Sequence, residues 1–367
     1  MDRVDYKSAG VNYDSLDAFK RMCQREAAST AAELSRHGLS EVRHSRGDSA
    51  YLVEFSDFFL AHVEEGLGTK NLVADEMQRL TGKCFYHGIG IDTVAAIVND
   101  LITSGAEPVC VAMHAAVGDS SWFADSQRAG ELARGFADGC KLCGAVWGGG
   151  ETPALRGLVN ERSIVLAGSA VGLVNPKSRR IAGDVRDGDA IVMLASSGVH
   201  TNGLTLCRAI AGKLEQGHLT KLEDGRAYGE ALLDPSVNYA PFLSRCRTSG
   251  VAIHYAVHIT GHGWRKLMRL DEPFAYRITE LRPAPAVFGF IEKSGRVDRR
   301  EMFATFNMGA GFAVYVAPDV VQTTLDAARH VGIDAWLAGS VTQQANRKFV
   351  EIAPLEITFD AESLAVR

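Results

Sequence analysis

The sequence has no P-loop, no G-x-G-x-x-G dinucleotide fingerprint and no G-x-S-x-G nucleophile elbow. Without these signatures of phosphate, dinucleotide and serine-ester chemistry, any nucleotide must be held by another device. No apolar run approaches the roughly 20 residues that a membrane-spanning helix needs; one of the longest covers Ser163 to Val174. The opening MDRVDYKSAG is charged and lacks the apolar core of a signal peptide. Positive charge is not in excess: 39 Lys and Arg face 44 Asp and Glu, a net charge of −5. Neutralising a phosphate backbone takes clustered bases, so no nucleic-acid partner is expected. The arginine-dense stretch Arg296 to Arg300 is interrupted by Val297 and Asp298 and reads as an exposed turn. Cysteines number seven, an odd count with no disulfide-framework spacing, which fits a reducing cytoplasm.

What is present is apolar residue and glycine. The 367 residues are 46% hydrophobic and 23% charged, enough to bury a core in about two domains of roughly 150 residues each. Glycine reaches 37 residues, about 10% against a typical ~7%, beside only 10 prolines. The glycines cluster at the ends of apolar runs: EEGLGTK from Glu64, HGIGID from His87, WGGGET from Trp147, SSGVHTNG from Ser196, ITGHG from Ile259 and NMGAG from Asn307. Loops of this kind let the backbone approach a ligand or another strand closely.

The periodicity predicts a helix from Asp14 or Ser15 to about His37, with Leu16, Phe19, Met22 and Cys23 on one face. A second helix is expected to start at Asp92 and end at Gly105, and a third to cover about Asp125 to Leu142. Strands are expected at Tyr51 to Phe55, Phe58 to Val63, Val109 to Met113 and Ser163 to Val174. The polar stretch Asn175 to Asp189 reads as a boundary, dividing the chain into 1–174 and 175–367. Beyond it lie an expected strand Ala190 to Ala195, a helix from about Thr201 to Leu214 and a strand Ala252 to Ile259. A helix carrying Leu267 and Met268 follows. The tail gives a strand Phe312 to Val316, a helix Asp319 to His330, and strands Trp336 to Val341 and Phe349 to Ile352. Both halves are therefore α+β.

Three constellations could carry chemistry. Asp92, Asn99 and Asp100 share a helix, with Asp92 and Asn99 about 10 Å apart on one face. Together with Glu65 and Glu151 beside glycine loops, these oxygen donors could hold Mg²⁺, although Asp92 at a helix start also reads as a cap. Second, a strand running through SSGVHTNG into a helix offers backbone N–H groups to an anion, with His200 available to donate or to transfer a proton; a plain capped turn fits equally. Third, His254, His258 and His262 have the spacing of helical zinc ligands, but the segment reads as a strand entering a glycine loop, where they would not converge. Cys140 and Cys143 lack a second pair and read as structural thiols.

The order DYKSAGVNYD, GLGTK, GIGIDTVAAIVNDLITSGAEPV, GGGET, AGSAVGLV, LASSGVHTNGLTLCR, HITGHG and MFATFNMGAG resembles the phosphoribosylformylglycinamidine cyclo-ligase (AIR synthetase) family over nearly the whole chain. The resemblance implies a two-domain α+β fold with a C-terminal α/β sandwich. Its N-terminal mixed sheet would pair across a homodimer into a barrel. The implied reaction uses ATP and Mg²⁺ to close the imidazole ring of formylglycinamidine ribonucleotide by phosphorylating its amide oxygen. By position, Lys7, His200 and His258 carry over as catalytic residues. Gly68, Thr69, Lys70, Asn99, Ser196, Ser197, Asn202, Gly203, Thr260 and Gly261 carry over as the ATP and phosphate site, with Lys70 as a point charge on the phosphates. Glu65, Asp92, Asp100 and Glu151 carry over as the metal set.

The chain departs from that pattern in three places. Glu65 stands where the family has Asp. The third loop runs Gly261-His262-Gly263-Trp264-Arg265-Lys266 in place of G-G-G and an Asn-containing turn. The family's early glycine-rich segment is replaced by His37 to Tyr51, so Arg43, His44 and Arg46 are expected to contact phosphate instead. These departures leave room for a paralog acting on another amide, or for a non-catalytic binding subunit. Selenophosphate synthetase fits less well, since the first cysteine, Cys23, lies inside a helix.

Overall fold

A computed structural model describes residues 13–364. Two sheets organise it. The first contains β1 (Ser40–Glu41), β2 (Tyr51–Glu54), β3 (Phe59–Gly66), β4 (Glu107–Val117), β5 (Val146–Glu151) and β6 (Ile164–Val174). Its order is β1-β2-β3-β6-β4-β5, antiparallel except between β4 and β5. The second contains β7 (Ala190–Ala195), β8 (Ile253–His258), β9 (Phe274–Ile278), β10 (Ala310–Val316), β11 (Ala335–Gln343), β12 (Phe349–Ile352) and β13 (Ile357–Asp360). Its order is β13-β12-β9-β11-β7-β10-β8, with β9 and β12 parallel and the other pairs antiparallel. Burial alternates along β6, as a sheet covered on one face requires.

Helices α1 (Tyr13–Ala28), α2 (Lys70–Thr81), α3 (Tyr86–Leu101), α4 (Ser126–Cys143) and α5 (Leu204–Ala211) frame the site. The first is shorter than expected. The Ser29 and Thr30 hydroxyls donate to the Glu26 and Ala27 carbonyls at 2.6 and 2.7 Å. Side chains that compete in this way for helical carbonyls end helices; a separate 3₁₀ segment follows over Ala31–His37. The apolar face of α1 is not core: Leu16, Phe19 and Met22 are exposed.

The helix expected from Asp92 is α3, which starts six residues earlier at Tyr86, so Asp92 is no cap but a wholly buried residue in mid-helix. HGIGID is therefore not a loop. Its glycines allow a close helix crossing: a Cβ on Gly90 would stand 2.4 Å from the Phe136 nitrogen of α4. WGGGET is likewise a strand, β5, with all six of its residues exposed. Among the described residues no helix is long and apolar enough to cross a membrane.

Candidate active site

The two sheets are joined along a buried polar seam built from α2, α3 and residues 234–239. Lys70 opens α2, and its Nζ is wholly buried. It donates to Asp92 Oδ1 at 2.9 Å and to the Asp234 carbonyl at 2.8 Å, and lies 2.8 Å from Asp92 Oδ2. Asp92 Oδ1 also accepts the Ser236 N–H at 2.7 Å and the Ser236 hydroxyl at 2.5 Å. Burial raises the Asp92 carboxyl against the pull of Lys70. Two turns along, Asn99 donates to the Val237 carbonyl at 2.8 Å and accepts the Tyr239 N–H at 2.9 Å. Lys70, Asp92 and Asn99 thus spend their polar atoms on the seam.

The SSGVHTNG loop closes the seam from the other side. Three of its N–H groups, expected to face an anion, are used internally. Ser196 N–H donates to the Gly309 carbonyl at 2.9 Å, Ser197 N–H to His200 Nε2 at 3.4 Å, and Asn202 N–H to the Val199 carbonyl at 3.4 Å. The Ser196 hydroxyl donates to Asn307 Oδ1 at 2.8 Å and that of Ser197 to the Pro235 carbonyl at 2.5 Å. His200 Nε2 accepts from the Val237 N–H as well, at 3.4 Å. An acceptor Nε2 puts the ring proton on Nδ1. Burial, helped by Lys70 and His258, holds His200 well below the usual histidine range. It is a neutral bridge between two segments, its Nε2 taken up by two backbone N–H groups. Gly203 is required by its φ of +83° and by Phe306, whose ring atom would lie 2.0 Å from a Cβ. Thr69 Oγ1 stands 3.5 Å from Thr205 Oγ1, and a Cβ on Gly68 would lie 3.7 Å from the Thr201 carbonyl. The GLGTK and SSGVHTNG loops therefore abut.

A cleft of about 570 Å³ opens beside this seam. Of the expected site residues it brings together Glu65, Asp100, Asn202, Thr260 and Gly261. Asp100 Oδ1 lies 2.7 Å from His258 Nδ1. Burial alone would raise Asp100, but the Lys266 ammonium, His258 and Arg269 outweigh it and hold the carboxyl at about 2. Glu65 is in hydrogen-bonding reach of Asp100, and burial together with that neighbouring carboxylate lifts it to about 7. Burial also lowers His258, against the pull of Asp100. A neutral imidazole whose Nδ1–H is held by a carboxylate keeps Nε2 as a base, although His258 itself is buried behind Asp100 and does not line the cleft.

The four expected metal ligands do not converge. Asp92 belongs to Lys70 and Ser236. Glu151 ends β5, and the strand register sets its neighbour Gly150 level with Glu65 three strands away, roughly 14 Å across the sheet. Among the described residues no group of three or more His, Cys, Asp or Glu side chains is placed to hold a metal ion. The donor set does not fit a preformed Mg²⁺ site. The three spaced histidines diverge too: His254 lies 2.7 Å from Asp189, and His262 lies 3.7 Å from Asp17 of α1. Burial pushes Cys140 up to about 12 and raises Cys143, which disfavours the thiolate at both.

Arg46 is engaged by Glu41 and stacks on Tyr51, and Arg43 does not line the cleft. Neighbouring Gly47, Asp48 and Ser49 line it instead. Lys7 lies outside the described residues. Sequence reasoning missed Lys266, whose ammonium donates to the Thr260 hydroxyl and, at 3.3 Å, to the His258 carbonyl. The signal was the basic Arg265-Lys266 pair standing where an Asn-containing turn was expected. A larger cleft of about 830 Å³, between α2 and the end of α5, contains none of the expected residues.

Two unlike α+β domains, locked along a buried polar seam with a charged cleft beside it, define the architecture. The chain belongs to the AIR synthase related protein family: the N-terminal domain model matches residues 47–174 and the C-terminal domain model residues 186–351. It is 33% identical over 341 residues to a phosphoribosylformylglycinamidine cyclo-ligase of Methanococcus maripaludis (strain C6), covering 92% of each chain. It is 36% identical over 361 residues to the cyclo-ligase of Carboxydothermus hydrogenoformans, covering 95% of this chain and 99% of that one. Among solved structures, AaThiL complexed with AMPPCP and TMP matches with a TM-score of 0.57 at 14% identity, over 86% of this chain and 90% of that chain.

Proposed function

We propose that the protein is an ATP-dependent cyclo-ligase that converts formylglycinamidine ribonucleotide to 5-aminoimidazole ribonucleotide, releasing ADP and phosphate. The observation that carries this reading is the likeness to curated cyclo-ligases, 33–36% identity across more than nine-tenths of both chains. The cleft suits it. The substrate's amide oxygen takes the γ-phosphoryl group and ADP leaves. The amidine nitrogen then attacks the activated carbon and gives up a proton, and phosphate departs with the oxygen. Among the described residues, the pair His258–Asp100 offers a base, His258 Nε2, for that proton. Binding of an ATP analogue by AaThiL, which has the same fold, supports ATP as the phosphoryl donor. Magnesium enters with the nucleotide's phosphates, and no residue of this chain is assigned to it.

Residues 1–174 are taken as the nucleotide-binding and pairing domain and 175–367 as the C-terminal domain. Exposed Val109, Val146 and Val165 on the first sheet support a homodimer paired through that sheet. A cytoplasmic setting accords with seven free cysteines. The test is to supply purified protein with ATP and formylglycinamidine ribonucleotide and to follow ADP and imidazole together. ADP release that does not depend on this substrate, with no imidazole, refutes the reading. A second reading, the same chemistry on another amide, draws on Glu65 and on Lys266 at the cleft; turnover with a different amide alone would establish it.

A further inference from the structure

We propose that Lys266, not the glycine-loop lysine, is the side chain that meets the nucleotide's phosphates; the inference rests on the ATP reading of the cleft. A cleft that takes a polyphosphate beside two carboxylates, Glu65 and Asp100, needs fixed positive charge. Lys70 cannot supply it. Its ammonium is wholly buried on Asp92 and the Asp234 carbonyl, and turning it to the cleft would strand Asp92 as a buried, uncompensated charge.

Three other cations line the cleft among the described residues: Lys20, Arg269 and Lys266. Arg269 is committed to the rim, donating to Ser49 Oγ at 2.8 Å and to the Gly47 carbonyl at 3.0 Å. Lys20 sits on α1 with its side chain more than half exposed, 4.0 Å from Asp17. Lys266 is anchored from below by the Thr260 hydroxyl and the His258 carbonyl. An ammonium has three N–H donors, and these two contacts leave one for a ligand, although burial lowers Lys266 and the nearby Asp100 and Glu65 carboxylates pull against that. The anchoring also fixes the charge in space, so that less side-chain freedom is lost on binding. Since the same ammonium holds the His258 backbone, one residue sets both the phosphate position and the imidazole that takes the proton.

The test is calorimetric binding of AMPPCP, in EDTA and again with Mg²⁺, alongside adenosine, to wild type, Lys266→Gln, Lys266→Arg and Arg208→Gln. Lys266→Gln should weaken AMPPCP binding by roughly 10- to 100-fold. It should leave adenosine binding within about twofold, and Lys266→Arg should recover most of the loss. Arg208→Gln, in the separate larger cleft, should change neither. Equal AMPPCP affinity in wild type and Lys266→Gln overturns the proposal. Parallel loss of AMPPCP and adenosine also overturns it, because the role would then be structural. Wild type that binds no AMPPCP refutes the ATP reading and this inference together. Lys266-dependent binding without imidazole formation refutes the cyclo-ligase reading alone.

Discussion

Replacing Asp92 with Leu tests whether the Lys70–Asp92 pair serves the architecture. Both side chains are wholly buried, and Asp92 accepts two further hydrogen bonds from Ser236. Removing the carboxylate leaves the Lys70 ammonium in a dry site with only the Asp234 carbonyl opposite it. Breaking a buried pair in this way costs about 3–5 kcal/mol. An unfolding entropy of about 2.1 cal/mol/K per residue gives roughly 0.8 kcal/mol/K for a chain of this length unfolding as one unit, so the melting temperature should fall by about 4–7 °C. Replacing both partners, Lys70→Met with Asp92→Leu, removes the stranded charge and should recover at least half of that loss. Differential scanning calorimetry of wild type, both single variants and the double variant completes the cycle. An Asp92→Leu protein melting within about 1 °C of wild type, or a double variant weaker than the sum of the singles, would refute this reasoning. The same would follow if Asp92→Asn abolished turnover while leaving the melting temperature untouched, since the carboxylate would then be acting on the ligand.

Four further outcomes are expected. His258→Asn should lower kcat by about 10²–10⁴-fold with little change in the KM for ATP, since it removes a base and not a phosphate contact. Glu65, lifted from 4.5 to about 7, holds its proton more tightly in the folded chain than in the unfolded one. Its stabilisation is full below the unfolded value and is lost as pH rises through about 7, so Glu65→Gln should flatten the fall in urea midpoint between about pH 5 and about pH 8. Gly203→Ala forces a Cβ against Phe306 at a left-handed φ, and urea melts should show a loss of about 1–3 kcal/mol or more. Val146→Glu, on the exposed β5, should shift the light-scattering mass from dimer to monomer if the first sheet is the pairing face.

Strands with dense apolar patterning were legible in the sequence: β7 and β12 occupy Ala190–Ala195 and Phe349–Ile352 as expected. Elements without that pattern were not. WGGGET offers no side-chain alternation, and its ladder to β4 makes it a strand. The helix α2 follows a glycine loop, and Thr69 makes no side-chain capping bond to announce it. At the site, Glu65, Asp100, Asn202, Thr260 and Gly261 are gathered into one cleft. That Lys70 pairs with Asp92 could not be read from the sequence, for a physical reason. A lysine beside glycines looks the same whether its ammonium meets a phosphate or a carboxylate 22 residues along the chain. Lys266 was passed over because its place is set by the His258 backbone, a partner that composition and spacing do not reveal.

The seam also sets a timetable for synthesis. Asp92 and Lys70 leave the ribosome early, but Ser236, which completes the shell around Asp92, is encoded 144 residues later. At about 5–20 residues per second the nascent N-terminal half carries that unfinished charge pair for roughly 7–30 s. During that interval α3 lacks the segment that covers its polar face. The first sheet of this protein therefore reaches its final stability only after about the first third of the second half has been made, and slowing translation between the two halves should lengthen the period in which the chain is open to proteolysis.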